Sequence, residues 1–291
     1  MNPAMLSVPD ALKRAGDNQT IGKILLQLGK LTPEDAERVS HYQKECGLRF
    51  GEAAQSLGLV SEADVRMGLA RQFDYPYLEP GEGAYPIELV AAYQPFSPQV
   101  EVMRSVRSEL LLRWFDAGHK SLAVAGIDSG DGTSFFMANL GLVFSQMGKR
   151  TLLIDANLRS ARLHQIFGLH ARQGLSDLLV GRAGIESIAR VDSFSNLYVL
   201  TAGTTPPNPQ ELISHPSFGK VQENVASRFD VTLIDTSAFA VGADALQVAA
   251  KVGGVLLLIR KDKTALAQVD AIGKKLAHIG VPVVGSVLVN F

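Results

Sequence analysis

The chain is 291 residues long, enough for two domains. Its 46% hydrophobic and 20% charged residues suit a folded protein with a sizeable buried core. A formal net charge of -1 leaves no basic footprint and argues against nucleic acid as a partner. The single cysteine, Cys46, excludes an internal disulfide framework and a cysteine-cluster metal site, and fits a reducing cytoplasm.

Residues 1–19 read as an N-terminal tail without the apolar core of a signal peptide, because Asp10 and Asp17 interrupt it. The longest apolar run, 255–259, is far shorter than the ~20 residues that cross a bilayer. Direct membrane insertion is therefore not expected, and any membrane association would come through a partner. A repeat with a period of 29 residues follows, from Gly22 to Gly51 and from Gly29 to Gly58. Ile21-Gly22 recurs as Phe50-Gly51, Leu28-Gly29 as Leu57-Gly58, and Gln43 as Gln72. Each copy predicts two short helices, the first ended by its glycine. Thr32 and Ser61 are placed as N-caps of the second helices, with Asp35 and Asp64 three residues on and Pro33 at the first helical position. Residues 20–80 are thus expected to form a small all-α module. The stretch 81–98, with Pro86, Pro95 and Pro98 among glycines and tyrosines, is expected as a linker.

Beyond it, strand and helix patterns alternate, which predicts an α/β domain over 99–291, a parallel sheet with flanking helices. A helix over 99–115 leads into a strand at 121–125, a glycine-rich loop at 126–134 and a helix to about Met147. Further strands are expected at 151–154, 197–201, 231–234, 254–259 and 281–288. Strand, glycine loop and helix start together make an anion site, because unpaired N–H groups and the helix dipole converge there. Phe135, Phe136 and Phe144 follow helical spacing and read as core.

Several ordered motifs make the reading of the α/β half specific. They are Leu152-Leu153-Ile154-Asp155-Ala156-Asn157-Leu158-Arg159 with His164, Gly174-Leu175-Ser176, Pro207-Asn208-Pro209 with Glu211-Leu212, and Val231-Thr232-Leu233-Ile234-Asp235. With Glu101, Arg104 and Arg107 spaced as Glu-x2-Arg-x2-Arg, they resemble the bacterial protein tyrosine kinases over 98–291. The EpsG-like subgroup, associated with chain-length determinants, is most similar, because the helical repeat and Arg71-Gln72-Phe73-Asp74-Tyr75-Pro76-Tyr77 precede the kinase-like half. That resemblance implies a P-loop NTPase fold, ATP and Mg2+ as cofactors, and a role in exopolysaccharide synthesis and export. It further implies a cytoplasmic location, peripheral at the inner membrane, beside a transmembrane chain-length regulator. Gly130, Asp131, Gly132, Thr133 and Ser134 would bind the nucleotide, with Ser134, Asp155 and Asp235 near magnesium and the two aspartates catalytic. Glu101, Arg104 and Arg107 would serve homo-oligomerisation.

The helical repeat resembles the N-terminal module of type II secretion and pilus ATPases, some of which bind cyclic di-GMP. Its halves, 20–43 and 49–72, flank a short spacer, and Arg49 stands at the arginine of the motif whereas Thr20 does not. The module is either a helical docking unit or, through Arg49, a cyclic di-GMP receptor. In the second reading the kinase-like half is a scaffold.

The phosphate loop departs from its family. Ser129-Gly130-Asp131-Gly132-Thr133-Ser134 carries Thr133 where the Walker A lysine belongs, and Asn157 replaces the second aspartate of the following motif. Asp128 and Asp131 add negative charge beside the loop. Arg159 or Arg162 could replace the lysine, as could an arginine from a neighbouring subunit. The family also autophosphorylates tyrosines near its C-terminal end, whereas the last tyrosine here is Tyr198. Weak or absent tyrosine kinase activity is therefore expected.

Overall fold

The computed structural model describes residues 20–73, 75–79 and 81–290, and the chain divides into two compact units at Pro76 and Tyr77. The expected tail lies outside the described residues.

The first unit contains α1 (Ile21–Gln27), α2 (Pro33–Cys46), α3 (Phe50–Ser56) and α4 (Glu62–Gln72). The Thr32 and Ser61 hydroxyls accept the backbone N–H groups of Asp35 and Asp64, whose carboxylates accept the N–H groups of Thr32 and Ser61 in return. Four otherwise unpaired donors are thereby satisfied at two helix starts. The Ser61 hydroxyl, with Lys30, also lowers the Asp64 pKa to about 2. The repeat does not fold as two self-contained hairpins. Instead α1 lies chiefly against α4, and α2 against α3. Close approaches of α3 to α4 and of α1 to α3 explain the repeated glycines Gly51 and Gly22. A Cβ on Gly51 would stand 2.8 Å from Val65 Cγ1, and one on Gly22 would stand 3.0 Å from the Phe50 ring. The core is small, built on Leu25, Leu31, Val39 and Val60.

The second unit is a seven-stranded sheet with helices on both faces. Its strands are β1 (Ser121–Gly126), β2 (Thr151–Asp155), β3 (Ala189–Arg190), β4 (Leu197–Leu200), β5 (Val231–Asp235), β6 (Val255–Arg260) and β7 (Val283–Val289). The order is β3-β4-β2-β5-β1-β6-β7. All neighbours are parallel except β3, which runs antiparallel to β4. β3 was not expected from the sequence, and two residues are too few to leave an alternating pattern. The helices are α5 (Val90–Tyr93), α6 (Pro98–Leu110), α7 (Thr133–Gln146), α8 (Leu163–Ile166), α9 (Leu175–Leu179), α10 (Pro209–Ser214), α11 (Ser217–Ala226), α12 (Asp244–Val252) and α13 (Leu266–His278). Among the described residues no helix is long and apolar enough to cross a membrane.

Strand periodicity divides the interior into two layers. Leu122 and Val124 of β1 pack with Met137, Leu140 and Phe144 of α7. Ala123 and Ala125 face the opposite way, toward Val248 of α12 and Leu276 of α13. Phe136 and Phe144 are core residues, as their spacing predicted, with Phe135 packed partly buried beside them. The expected helix over 99–115 changes character at Leu111, where α6 passes into a π-type turn, Leu111–Phe115. That turn buries Leu111, Trp114 and Phe115 while Leu112 stays 73% exposed.

Residues 81–98, expected as a linker, are bound into the second unit. Leu89, Ala91 and Ala92 are buried in the layer beneath α7. Asn139 of α7 accepts the Ala91 N–H at 2.9 Å and donates to the Glu88 carbonyl at 2.9 Å, and Gln146 donates to the Ala91 carbonyl at 2.9 Å. The prolines do prevent a long helix, but two buried amide side chains supply the partners that the backbone around the short α5 would otherwise take from water.

Candidate nucleotide-binding site

β1 lies between β5 and β6, and the chain leaves it for β2 on one side and returns to β6 on the other. Loops leaving the carboxyl ends of such strands open a crevice at that switch point. Gly126 ends β1, and a Cβ there would come 2.7 Å from Thr133 Oγ1 and 3.2 Å from Asp131 Cβ. The absence of a side chain lets the loop fold back onto the strand. Gly130 and Gly132 take left-handed φ values of 84° and 76°, conformations that glycine adopts without strain. Gly132 is also the N-cap of α7 and offers no side-chain acceptor, so the first N–H groups of this 14-residue helix are left for a ligand.

Asp131, expected to add negative charge beside this loop, is turned inward, 1% exposed, and its Oδ2 accepts the Asp128 N–H at 2.8 Å. The carboxylate shapes the loop from inside. From the end of β6, Arg260 Nη1 donates to the Gly130 carbonyl at 3.4 Å.

Asp155 and Asp235 end the adjacent strands β2 and β5 in direct register, and both are fully buried. Asp155 accepts three backbone N–H groups, from Asn157 at 3.2 Å, Arg162 at 2.9 Å and Leu163 at 3.0 Å. Burial raises its pKa above the ordinary carboxylate value, and those three donors hold it back. The Asp235 carboxyl is pushed up further, first by burial and then by the neighbouring Asp155 charge. Ser134 donates its hydroxyl to Asp235 Oδ2 at 2.5 Å, while Asp235 Oδ1 is buried without a hydrogen-bond partner. An orphaned carboxylate oxygen beside a second carboxylate and a hydroxyl fits a divalent cation. Hard oxygen donors are what Mg2+ takes, usually completed by phosphate and water. Among the described residues no cluster of three or more His, Cys, Asp or Glu could hold a metal alone. The set Ser134, Asp155 and Asp235 therefore fits a magnesium ion that arrives with a nucleotide.

Asn157, at the position of the second motif aspartate, uses its Oδ1 to accept the Ser160 N–H at 3.1 Å. Its role is to close the turn after β2. The loop, this turn and the segment after β5 enclose a cavity of about 420 Å³, whose wall includes Thr133, Asn157, Arg159, Arg162 and Thr236. Of the two arginines, Arg159 is engaged, with Nε 2.5 Å from Asp244 Oδ2 and Nη2 3.4 Å from Asp244 Oδ1. That hydrogen bond raises the Arg159 pKa. Asp244, at the start of α12 and 3% exposed on its side chain, was not singled out from the sequence. As an acid in a first helical turn, it looks there like any favourable helix start. Arg260 was missed as well, since nothing in its spacing links a strand end to a loop 130 residues earlier.

The other expected site residues lie elsewhere. On α6, Glu101 pairs with Arg104, whose guanidinium also lies 5.8 Å from the centre of the Phe96 ring. Arg107 donates to the Val143 carbonyl of α7 at 3.1 Å. Arg49, in the first unit, is the exposed N-cap of α3, where its backbone N–H donates to Glu52 at 2.8 Å.

No family model matches the chain. It is 37% identical over 199 residues to a putative tyrosine-protein kinase EpsB of Ralstonia solanacearum, across 68% of this chain and 26% of that protein. It is 32% identical over 195 residues to a putative tyrosine-protein kinase CapB of Staphylococcus aureus, across 67% of this chain and 86% of that one. The chain thus spans about a quarter of the length of the EpsB protein and most of CapB. Among solved structures it is similar to the kinase domain of the Escherichia coli tyrosine kinase ETK. The TM-score is 0.67 at 27% identity, over 69% of this chain and 79% of that domain.

Proposed function

This chain belongs to the bacterial tyrosine-protein kinase family, and from that premise we propose that it binds ATP with Mg2+ but phosphorylates tyrosine weakly or not at all. The observation that carries this reading is the side chain at position 133. Its hydroxyl packs toward Gly126 at the base of the loop, where a lysine would extend toward the phosphates. The other features of the site support nucleotide binding. The loop conformation, the free start of α7 and the Ser134–Asp235–Asp155 set all suit a magnesium nucleotide. Phosphoryl transfer depends on positioning and on neutralising charge at the migrating group. Removing one preorganised donor commonly costs about 10²–10³ in rate.

In the cell the protein would act in the cytoplasm, held at the inner membrane by a transmembrane chain-length regulator, in exopolysaccharide synthesis and export. Homo-oligomerisation through Glu101, Arg104 and Arg107 accompanies that reading. Glu101 is the most available of the three, with a side chain 56% exposed, while Arg104 and Arg107 also make contacts within their own chain.

Calorimetric titration of the full chain with Mg-ATP, alongside Thr133→Lys, tests the proposal. Binding by the wild type is expected, tightened about ten- to a hundredfold by the substitution, as one charged hydrogen bond would give. Phosphotyrosine is expected to be absent or scarce from the wild type and to increase in the variant. Robust phosphotyrosine formation by the wild type would overturn the proposal of impaired transfer.

A further inference from the structure

Two positive charges line the cavity beside the phosphate loop, Arg159 and Arg162, and their surroundings differ. Arg159 makes a two-point contact with the buried Asp244 carboxylate. Drawing it toward a phosphate would leave that carboxylate buried without its counter-charge, a costly exchange. Arg162 is exposed, and its side chain has no hydrogen-bond or ion-pair partner among the described residues. Its backbone is nevertheless fixed, because its N–H donates to Asp155 Oδ2 at 2.9 Å. The turn that carries it is closed by Asn157 on Ser160 and by Asp155 on Leu163. A free guanidinium on a pinned backbone, on the wall of the cavity that the loop faces, is an available donor there.

We propose that Arg162 replaces the missing lysine and is the cation that meets the terminal phosphates of a bound nucleotide. This rests on the nucleotide reading above and specifies which side chain supplies the charge. Guanidinium geometry suits the task, since its planar donor fork can engage two phosphate oxygens at once. The arrangement also gives the Arg159–Asp244 pair a separate duty. It anchors the turn after β2 to α12, so that the turn presents Arg162 at a fixed place.

The full chain and Arg162→Ala, Arg162→Lys and Arg162→Ala/Thr133→Lys would be titrated with Mg-ATP, Mg-ADP and AMP. Melting curves would check that each variant folds, with Arg162→Gln as a second truncation. Expected is a loss of about ten- to a hundredfold in ATP affinity for Arg162→Ala, with AMP affinity unchanged. Partial retention by Arg162→Lys and recovery in the double variant complete the expected pattern. Wild-type affinity for ATP in both Arg162→Ala and Arg162→Gln would overturn the assignment and leave the nucleotide reading standing. Equal losses for ATP and AMP would also overturn it. Failure of the wild type to bind any of the three nucleotides would overturn both readings.

Discussion

Asp235 combines full burial, a neighbouring carboxylate and one oxygen with no partner, and these set a sign for its response to pH. Burial and the neighbouring Asp155 charge hold its pKa in the folded chain well above the ordinary carboxylate value. The folded state therefore holds this proton more tightly than the unfolded state. Stability of the nucleotide-free chain should fall as pH rises above that ordinary value and through the raised folded one. Asp235→Asn keeps an acceptor for Ser134 and removes the charge. It should raise the nucleotide-free melting temperature at neutral pH by at least about 2–4 °C, the shift that ~1 kcal/mol gives in a domain of this size. The same substitution should abolish any further stabilisation by Mg-ATP over ATP alone. Melting curves with and without Mg2+ across the acid-to-neutral range check both effects, and an unchanged pH dependence in the variant would refute the assignment. At this scale the sequence was informative about identity and less so about direction. Asp155, Asp235 and Ser134 could be named from their motifs. The inward turn of Asp131 could not, because the side chain's choice between solvent and its own loop depends on the N–H of Asp128 being within reach. The Arg159–Asp244 pair was hidden for a similar reason, since it joins residues 85 apart.

Elements followed from local rules where those rules acted alone. The N-caps at Thr32 and Ser61 and the strand ends at Asp155 and Asp235 fell where short-range chemistry put them. Residues 81–98 show what local rules omit. Their prolines and glycines exclude a long helix, yet whether such a segment hangs free depends on what α7 offers it. Asn139 makes three hydrogen bonds, to Ala91, Glu88 and Phe135. Its position in the apolar middle of α7, between Ala138 and Leu140, is the trace this contact leaves in the sequence. Asn139→Ala would strand the Ala91 N–H and the Glu88 carbonyl away from water. At about 1–3 kcal/mol for each buried group left unpaired, the cost should reach several kcal/mol. Chemical denaturation should show the loss, with faster amide exchange at Ala91. A cost under about 0.5 kcal/mol, typical of surface substitutions, would mean that the arm is not held this way.

For the whole molecule, the two units differ sharply in what stabilises them. The first has a core of a few side chains and capped helices, and units of this size are marginal on hydrophobic burial alone. The second buries two layers against a central sheet and carries the proposed ligand site. Calorimetric unfolding of the full chain should therefore resolve two transitions, with Mg-ATP raising only the one that belongs to the second unit. A single transition that moves as a whole would show that the units unfold together. The division into a helical part and an α/β part was legible in the sequence through a change of period. What the repeat did not disclose was which helices would face each other. In the first unit each half lends one helix to a helix of the other half, α1 to α4 and α2 to α3. The two copies are thus joined as two interlocked chains would be, with Gly47, Leu48 and Arg49 serving as the link. A gene encoding one copy alone would yield a peptide with half of each interface, which could complete itself only by pairing with a second molecule. Duplication in tandem turns that concentration-dependent encounter into a connected one, and the unit no longer depends on protein concentration to exist.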